Sequence, residues 1–239
     1  MKSFTINTRT RSNPFALTVI ALSATLLFTP RAGHTQQLQP GVSVQMAATS
    51  TAVPMPEADN QDAWIVAVTA DGNLFFGIDS VTPAALVDKM KSRPRRRDQK
   101  LYIKVDARAP FTSVESVLEA ARIDLFEAPV LLTSQPESAT PGTIVAPKGL
   151  EVLVGSSLGP ESIVVLASKD GRQGGALKIN GQQIASAALQ NTLMQLLQTR
   201  SEKVVAVRAD GLLSFAEVIH VIDVCHSAGA KVVLPTPQP

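Results

Sequence analysis

Two runs of β-branched and apolar residues, at positions 63–69 and 162–168, each lead into an Asp-Gly pair and then into a second apolar stretch. Because glycine accepts a positive φ and aspartate tolerates one, Asp-Gly between apolar runs predicts a β-hairpin at each place. The returning strands are predicted at 73–76 and 176–179, and each is followed by a further turn. The predicted turn-forming residues are Asp71, Gly72, Asp170, Gly171, Asn180 and Gly181.

A helical pattern follows each hairpin. Thr82 is a favourable N-cap and Pro83 suits the first turn, where its missing N–H costs nothing, so a helix is predicted from Thr82 to about Lys91. The second copy is predicted to be helical from about Ile184 to Gln198, because leucines recur along one face of that stretch.

Each series continues with a strand, a second helix and a last strand. The strands are predicted at 101–106 and 204–210, and the last strands at 130–132 and 231–234. The apolar faces of the two helices between them match position by position: Phe111, Val114, Val117, Leu118 and Ala121 correspond to Phe215, Val218, Val221, Ile222 and Cys225.

The two series are predicted to be copies of one unit. Asp106 and Asp210 are 104 residues apart, as are Phe111 and Phe215, and the elements agree in order. Each copy opens with a short alternating stretch that is compatible with a strand, at 41–46 and at 149–154. The predicted fold class is therefore α/β (α+β), with two tandem small mixed sheets, each carrying two helices on one face.

Proline and glycine mark the predicted domain boundaries. Residues 41–136 form the first domain, 137–148 a linker rich in proline, and 149–239 the second domain. The stretch 47–61, with two prolines and several small residues, is predicted as a long loop inside the first domain.

Residues 1–36 predict a signal peptide or a short N-terminal membrane anchor. A basic start precedes an apolar run at 15–28, which Pro30 and Arg31 end. The run is shorter than the ~20 residues of a spanning helix, which favours a cleaved signal. The region after it lacks a clean small-x-small site, so an uncleaved anchor stays open. Both alternatives send the rest of the chain out of the cytoplasm.

The charge balance argues against a nucleic-acid partner. The net charge is +2, but residues 1–36 hold four basic residues and no acid, which leaves 18 basic residues against 20 acidic ones in the remainder. A near-neutral mature chain lacks the clustered basic surface that nucleic acid requires. The basic run at 93–97 is predicted to be a solvated loop.

Groups suited to catalysis or metal binding are sparse. His220 and His226 are six residues apart and point to different sides of a helix, so a shared metal site is not expected. Cys225 is predicted to be a buried structural thiol. We therefore expect no enzyme activity and no cofactor. Asp106 and Asp210 close strands, where each can cap the following helix, which is the favoured interpretation, or bind a partner.

The ordered set of elements resembles the periplasmic domain of the ExbD/TolR family of biopolymer transport proteins. The second copy is the closer match, with Lys169-Asp170-Gly171, Val207-Arg208-Ala209-Asp210 and a glycine before its last strand, which the first copy lacks. Family members usually carry one such domain and an Asp in their transmembrane helix, whereas this chain has two copies and no acid at 14–29. The candidate partner-binding residues are Asp106, Arg208 and Asp210.

The resemblance implies a non-catalytic accessory of biopolymer transport, on the periplasmic side of the inner membrane beside a proton-motive-force-driven complex. It implies ExbB/TolQ-like and TonB/TolA-like partners, engaged through protein–protein contacts. The duplication suggests an intramolecular pseudo-dimer, with a homodimer as the other arrangement. The alternative is a stand-alone periplasmic binding module for peptidoglycan, lipid or a small ligand, which the missing membrane acid favours.

Overall fold

The computed structural model describes residues 41–134, 146–155, 162–169 and 175–236. The predicted signal peptide or anchor, most of the predicted linker, and the turn residues Asp170 and Gly171 lie outside the described residues. Among the described residues, no helix has the length and apolarity required to cross a membrane.

The first sheet has seven described strands, three of which form a parallel centre. The order across the sheet is β1-β7-β6-β5-β2-β3-β4, and β2, β5 and β6 run parallel while the other neighbours are antiparallel. The strands are β1 (Val53–Pro54), β2 (Trp64–Val68), β3 (Leu74–Phe76), β4 (Asp79–Val81), β5 (Leu101–Val105), β6 (Val130–Thr133) and β7 (Lys148–Glu151).

The second sheet has six described strands in the order β11-β10-β9-β12-β13-β8. Strands β9, β12, β13 and β8 are parallel, and the hairpin strands β10 and β11 are antiparallel to their neighbours. The strands are β8 (Leu153–Gly155), β9 (Ile163–Lys169), β10 (Gly175–Ile179), β11 (Gln182–Ile184), β12 (Val204–Ala209) and β13 (Lys231–Pro235).

The described residues form four α-helices, two for each sheet: α1 (Pro83–Ser92), α2 (Phe111–Ile123), α3 (Leu189–Gln198) and α4 (Phe215–Ser227). The Thr82 hydroxyl accepts a hydrogen bond from Ala85 N–H, so the predicted N-cap of α1 is confirmed. Ser214 and Glu217 form a reciprocal capping box at the start of α4. Helix α3 starts later than predicted, because β11 and a short 3-10 helix, Ser186–Ala188, occupy the first part of that stretch.

The connections of the first sheet are repeated in the second. The order β2-β3-β4-α1-β5-α2-β6 has its counterpart in β9-β10-β11-α3-β12-α4-β13, with the same neighbours across each sheet. The predicted mixed α/β fold with two sheets is confirmed. Strands β4 and β11, which lengthen each hairpin, were not predicted because they are short and mostly polar.

The buried apolar residues of both halves form one continuous cluster. It contains the apolar faces of the four helices and the sheet faces beneath them, including Phe111 and Phe215, which are 3% and 0% exposed. A second, smaller cluster covers the other face of the first sheet, where the 3-10 helix Pro56–Asp59 packs near Tyr102 and Leu132. The predicted loop at 47–61 is therefore a cover for this sheet.

Two predicted opening strands need correction. Residues 41–46 form no strand, and only Met46 makes an isolated bridge, to Asp106, because β5 ends there and leaves no ladder to extend. Residues 149–154 do not form one strand of the second sheet. Strand β7 pairs with β6 of the first sheet and β8 pairs with β13 of the second, with Val152 between them. The stretch is divided because β6 and β13 each have an edge available for pairing along its path.

Candidate interaction site

The two halves meet where the loops that precede α2 and α4 run antiparallel. Phe111 N–H donates to Leu213 O at 2.9 Å, and Phe215 N–H donates to Ala109 O at 2.8 Å. The donors are 104 residues apart, and so are the acceptors, so one constant offset in the sequence relates the two bonds. A second related pair joins Thr112 N–H to Gly211 O at 3.0 Å and Ala216 N–H to Ala107 O at 2.9 Å.

At the centre of this junction Pro110 faces Ser214 in an antiparallel bridge. These two residues are also 104 apart, so the residue at the centre meets its own counterpart. Contacts in which position i meets j and position j meets i are typical of a two-fold interface between identical subunits. Here the two surfaces belong to one chain.

Asp106, a predicted site residue, ends β5 beside this junction. Its carboxylate accepts from Arg108 Nε at 2.9 Å, from Arg108 N–H at 3.1 Å and from Gln45 N–H at 3.0 Å. The Arg108 side chain lowers the pKa of Asp106 well below its usual range, against the raising effect of burial. The side chain is 5% exposed because the guanidinium covers it near the molecular surface. Asp106 does not cap α2, so the favoured helix-capping interpretation is wrong: its side chain turns back onto the loop and the 45–51 segment.

The segment 45–51 lies across the carboxyl ends of β5 and β6. Ala107 N–H donates to Gln45 O at 2.8 Å, Ser134 N–H donates to Ala47 O at 2.9 Å, and Thr49 N–H donates to Ser134 O at 3.1 Å. Lys104 Nζ reaches Val42 O, just before the segment, at 3.1 Å. The Thr49 and Thr133 hydroxyls, both buried, are 2.7 Å apart. The first half thus holds this segment through backbone hydrogen bonds just beyond β5 and β6 and through the side chains of Lys104 and Thr133.

Asp223 of α4 fastens the other end of this segment to the second half. Its Oδ2 accepts from Ser50 N–H and Oγ, each at 2.8 Å, and its Oδ1 accepts from Thr51 N–H at 2.9 Å and from the Thr51 hydroxyl. Burial alone raises the pKa of Asp223, but these hydrogen bonds outweigh it and the pKa lies below its usual range. One signal for this role is visible in the sequence, a carboxylate among the apolar residues of α4.

Arg208 and Asp210, the other predicted partner-binding residues, occupy the positions equivalent to Lys104 and Asp106 on the second sheet. Asp210 Oδ1 accepts from Leu212 N–H at 2.9 Å, and Asp210 N–H donates to Ala167 O at 2.8 Å. Asp210 does not cap α4 either, since Ser214 holds that place. The Arg208 side chain is exposed, and within the described residues it forms no ion pair.

The predicted turn residues that the structure describes lie in turns. Gly72 has φ of +79°, and its N–H donates to Thr69 O at 2.9 Å. Asn180 and Gly181 have φ of +48° and +86° between β10 and β11. These geometries are those that asparagine and glycine accept most readily.

The basic run at 93–97 packs on aromatic rings at one end of the first sheet. The Arg93 guanidinium lies 5.0 Å from the centre of the Trp64 ring, and that of Arg95 lies 4.2 Å from the Phe126 ring. Trp64 and Phe126 are themselves 5.4 Å apart. The prediction of a solvated loop is therefore wrong for these two arginines, because their stems and guanidinium planes cover a ring cluster.

Among the described residues, His220, His226 and Cys225 belong to no cluster that could hold a metal ion. Within the parts of the chain that the structure describes, no group of three or more His, Cys, Asp or Glu side chains is arranged to hold a metal ion. Cys225 is fully buried, and burial raises the pKa of its thiol to about 12. Burial lowers the pKa of His226, which the nearby Asp223 and Glu151 only partly oppose.

Residues 126–238 match the protein family described as biopolymer transport protein ExbD/TolR. No curated protein and no solved structure matches the chain. The match begins at Phe126, just before β6, and so does not test whether the first half is a further copy. Over residues 126–238 the resemblance to the ExbD/TolR family that the sequence indicated is confirmed.

Proposed function

We propose that this protein is a non-catalytic accessory of biopolymer transport that acts in the periplasm, through protein–protein contacts, with a proton-motive-force-driven complex of the inner membrane. The family match over residues 126–238 carries this proposal, because the ExbD/TolR family has an accessory role in biopolymer transport. The ExbD/TolR family generally works with ExbB/TolQ and TonB/TolA, and proteins of those two kinds are the partners proposed for this chain.

The two halves act as an intramolecular pseudo-dimer in this proposal. The backbone bonds between the loops before α2 and α4 support it, because each has a counterpart 104 residues away. The continuous core supports it too, since α2 and α4 contribute Phe111 and Phe215 to one cluster. A single chain then offers the symmetric platform that two chains otherwise build together.

The experiment is recovery of a C-terminally tagged full chain from membranes of its host after mild crosslinking. We expect an ExbB/TolQ-like channel protein among the crosslinked species, and less of it when the proton motive force is collapsed before crosslinking. Recovery of cell-wall fragments with no membrane motor protein contradicts the proposal and favours the stand-alone binding module.

A further inference from the structure

A cleft of about 370 Å³ opens between α2 of the first half and the second sheet. Phe111, Glu115 and Leu118 line one wall, and Arg208, Leu234 and Thr236 line the other. The second wall is formed by the carboxyl ends of the parallel strands β12 and β13. Open α/β sheets bind ligands at such ends.

The equivalent place on the first sheet is filled by the chain itself. There the segment 45–51 lies over the ends of β5 and β6, held by Asp106, Thr133 and, from the opposite half, Asp223. Two counterparts of these residues, Arg208 and Thr236, line the cleft on the second sheet. Lys104 corresponds to Arg208, Asp106 to Asp210, Thr133 to Thr236 and Asp223 to Glu119, by element order and strand register.

Two polar groups that are well engaged on the first sheet are engaged less well on the second. Thr133 shares a hydrogen bond with Thr49, whereas the buried Thr236 Oγ1 lies near the Glu119 carboxylate but forms no hydrogen bond of ordinary geometry with a described residue. Lys104 binds Val42 O, whereas Arg208 forms no ion pair with a described residue. Because a buried hydroxyl without a well-aligned partner is destabilising, the arrangement favours a ligand that supplies one.

The charges around the cleft suit backbone N–H and hydroxyl donors. Glu115 provides an acceptor on one side of the cleft, and Arg208 provides donors for carbonyl oxygens on the other. Arg122 and, more weakly, Thr236 lower the pKa of Glu119 against the effect of burial, so this carboxylate stays charged beside the cleft. An extended peptide backbone presents donors and acceptors in alternation, as the segment 45–51 does on the first sheet.

We propose that this cleft binds an extended peptide segment of a partner protein, with the chemistry of residues 42–51: alternating apolar residues, then small residues, then consecutive hydroxyl residues. The proposal rests on the proposed function, since it gives the partner-binding role a location. Arg208 binds carbonyl oxygens of the segment, the Thr236 hydroxyl pairs with a hydroxyl side chain, and Glu115 accepts N–H and O–H groups.

The test uses a fluorescein-labelled synthetic peptide with the sequence of residues 42–51, titrated with the full chain and followed by fluorescence anisotropy. We expect saturable binding that weakens at least fivefold in Arg208→Ala and in Thr236→Val. Lys231→Ala, at the far end of β13, leaves the affinity unchanged, and so does replacing the peptide label. A peptide of scrambled sequence binds at least tenfold more weakly. Thermal unfolding checks that each variant is folded.

Three results overturn the inference. The first is no saturable binding at millimolar protein. The second is peptide binding that is lost in Lys104→Ala but kept in Arg208→Ala. This result means that the peptide displaces the 45–51 segment on the first sheet and does not enter the cleft. The third is dimerisation of the chain that blocks peptide binding, which makes a second copy the occupant. If the peptide does not bind while the tagged chain still recovers a channel protein, the inference fails and the proposed function stands.

Discussion

Leu125 and Gly229 occupy the same position, 104 residues apart, in the turns that end α2 and α4. Their φ angles are +60° and +80°, and their N–H groups donate to the equivalent carbonyls Arg122 O and His226 O. The turn of the first half therefore keeps the same backbone conformation, although a leucine stands where the second half has a glycine. A leucine in this left-handed conformation is strained, whereas a glycine is not.

Leu125→Gly is expected to raise the free energy of unfolding by about 0.5–1 kcal/mol. It removes the left-handed strain, and little packing is lost because the Leu125 side chain is 76% exposed. Gly229→Ala is the reverse change and should lower the free energy of unfolding by about 1 kcal/mol. The cause is the positive φ and not a clash, because a Cβ at this position meets no atom within 4 Å. Urea unfolding measures both. Equal stabilities for Leu125→Gly and the parent chain contradict the equivalence of the two turns.

Asp223→Ala is expected to lower the free energy of unfolding by about 2–3 kcal/mol. The change leaves the N–H groups of Ser50 and Thr51 without their charged acceptor. Amide exchange at residues 47–52 should also accelerate, because this carboxylate fastens the segment to α4. Asp98→Ala, at a side chain 86% exposed, is the control and should change stability by less than about 0.5 kcal/mol. Unchanged exchange in Asp223→Ala argues against this attachment.

Acid should destabilise the protein through Asp106 and Asp223. Both carboxyls have a folded-state pKa below the ordinary value, so the stability they contribute is present above about pH 4 and is lost as the pH falls through the folded values. We expect the free energy of unfolding to fall between pH 5 and pH 3, and to fall less in the double variant Asp106→Asn, Asp223→Asn. Urea unfolding across this range provides the measurement. If the free energy of unfolding falls equally steeply with pH in the variant and the parent, Asp106 and Asp223 are not the source of the acid sensitivity.

Cys225 should resist thiol reagents in the folded protein. Burial leaves the thiol 0% exposed and raises its pKa to about 12, so almost no thiolate is present at pH 8. Ellman's reagent should release no thionitrobenzoate from the native chain within an hour and one equivalent in 6 M guanidinium chloride. Rapid native reaction contradicts the packing of α4 on the second sheet.

Local signals in the sequence predict most of the helices and central strands. Thr82 and Pro83 mark the start of α1, and the apolar faces that pair Phe111 with Phe215 locate α2 and α4. Their order, repeated after about a hundred residues, is the pattern that resembles the ExbD/TolR family. These features depend on neighbours in the chain, which is why the sequence alone contains them.

Features that depend on distant contacts were missed. The stretch 149–154 has the alternating pattern of one strand. In the structure its first part pairs with β6 of the first sheet and its last part pairs with β13 of the second sheet. The position of Asp106 before α2 is typical of a helix cap, but its carboxylate accepts hydrogen bonds from Arg108 and Gln45 instead. Asp223 becomes an attachment point only once Ser50, 173 residues away, is brought to it. Sequence separation of this size leaves no local pattern to recognise.

The pairing of the two halves is tested most directly by a disulfide across its centre. Pro110 and Ser214 form a non-hydrogen-bonded antiparallel pair, for which a Cα separation of roughly 4.5 Å is typical and a disulfide is permitted. The full chain with Pro110→Cys and Ser214→Cys, in a Cys225→Ala background, is oxidised in air and examined by mass spectrometry and light scattering. The pseudo-dimer predicts one disulfide within a monomeric chain. Two free thiols in a folded chain, or a disulfide that joins two chains, would contradict it.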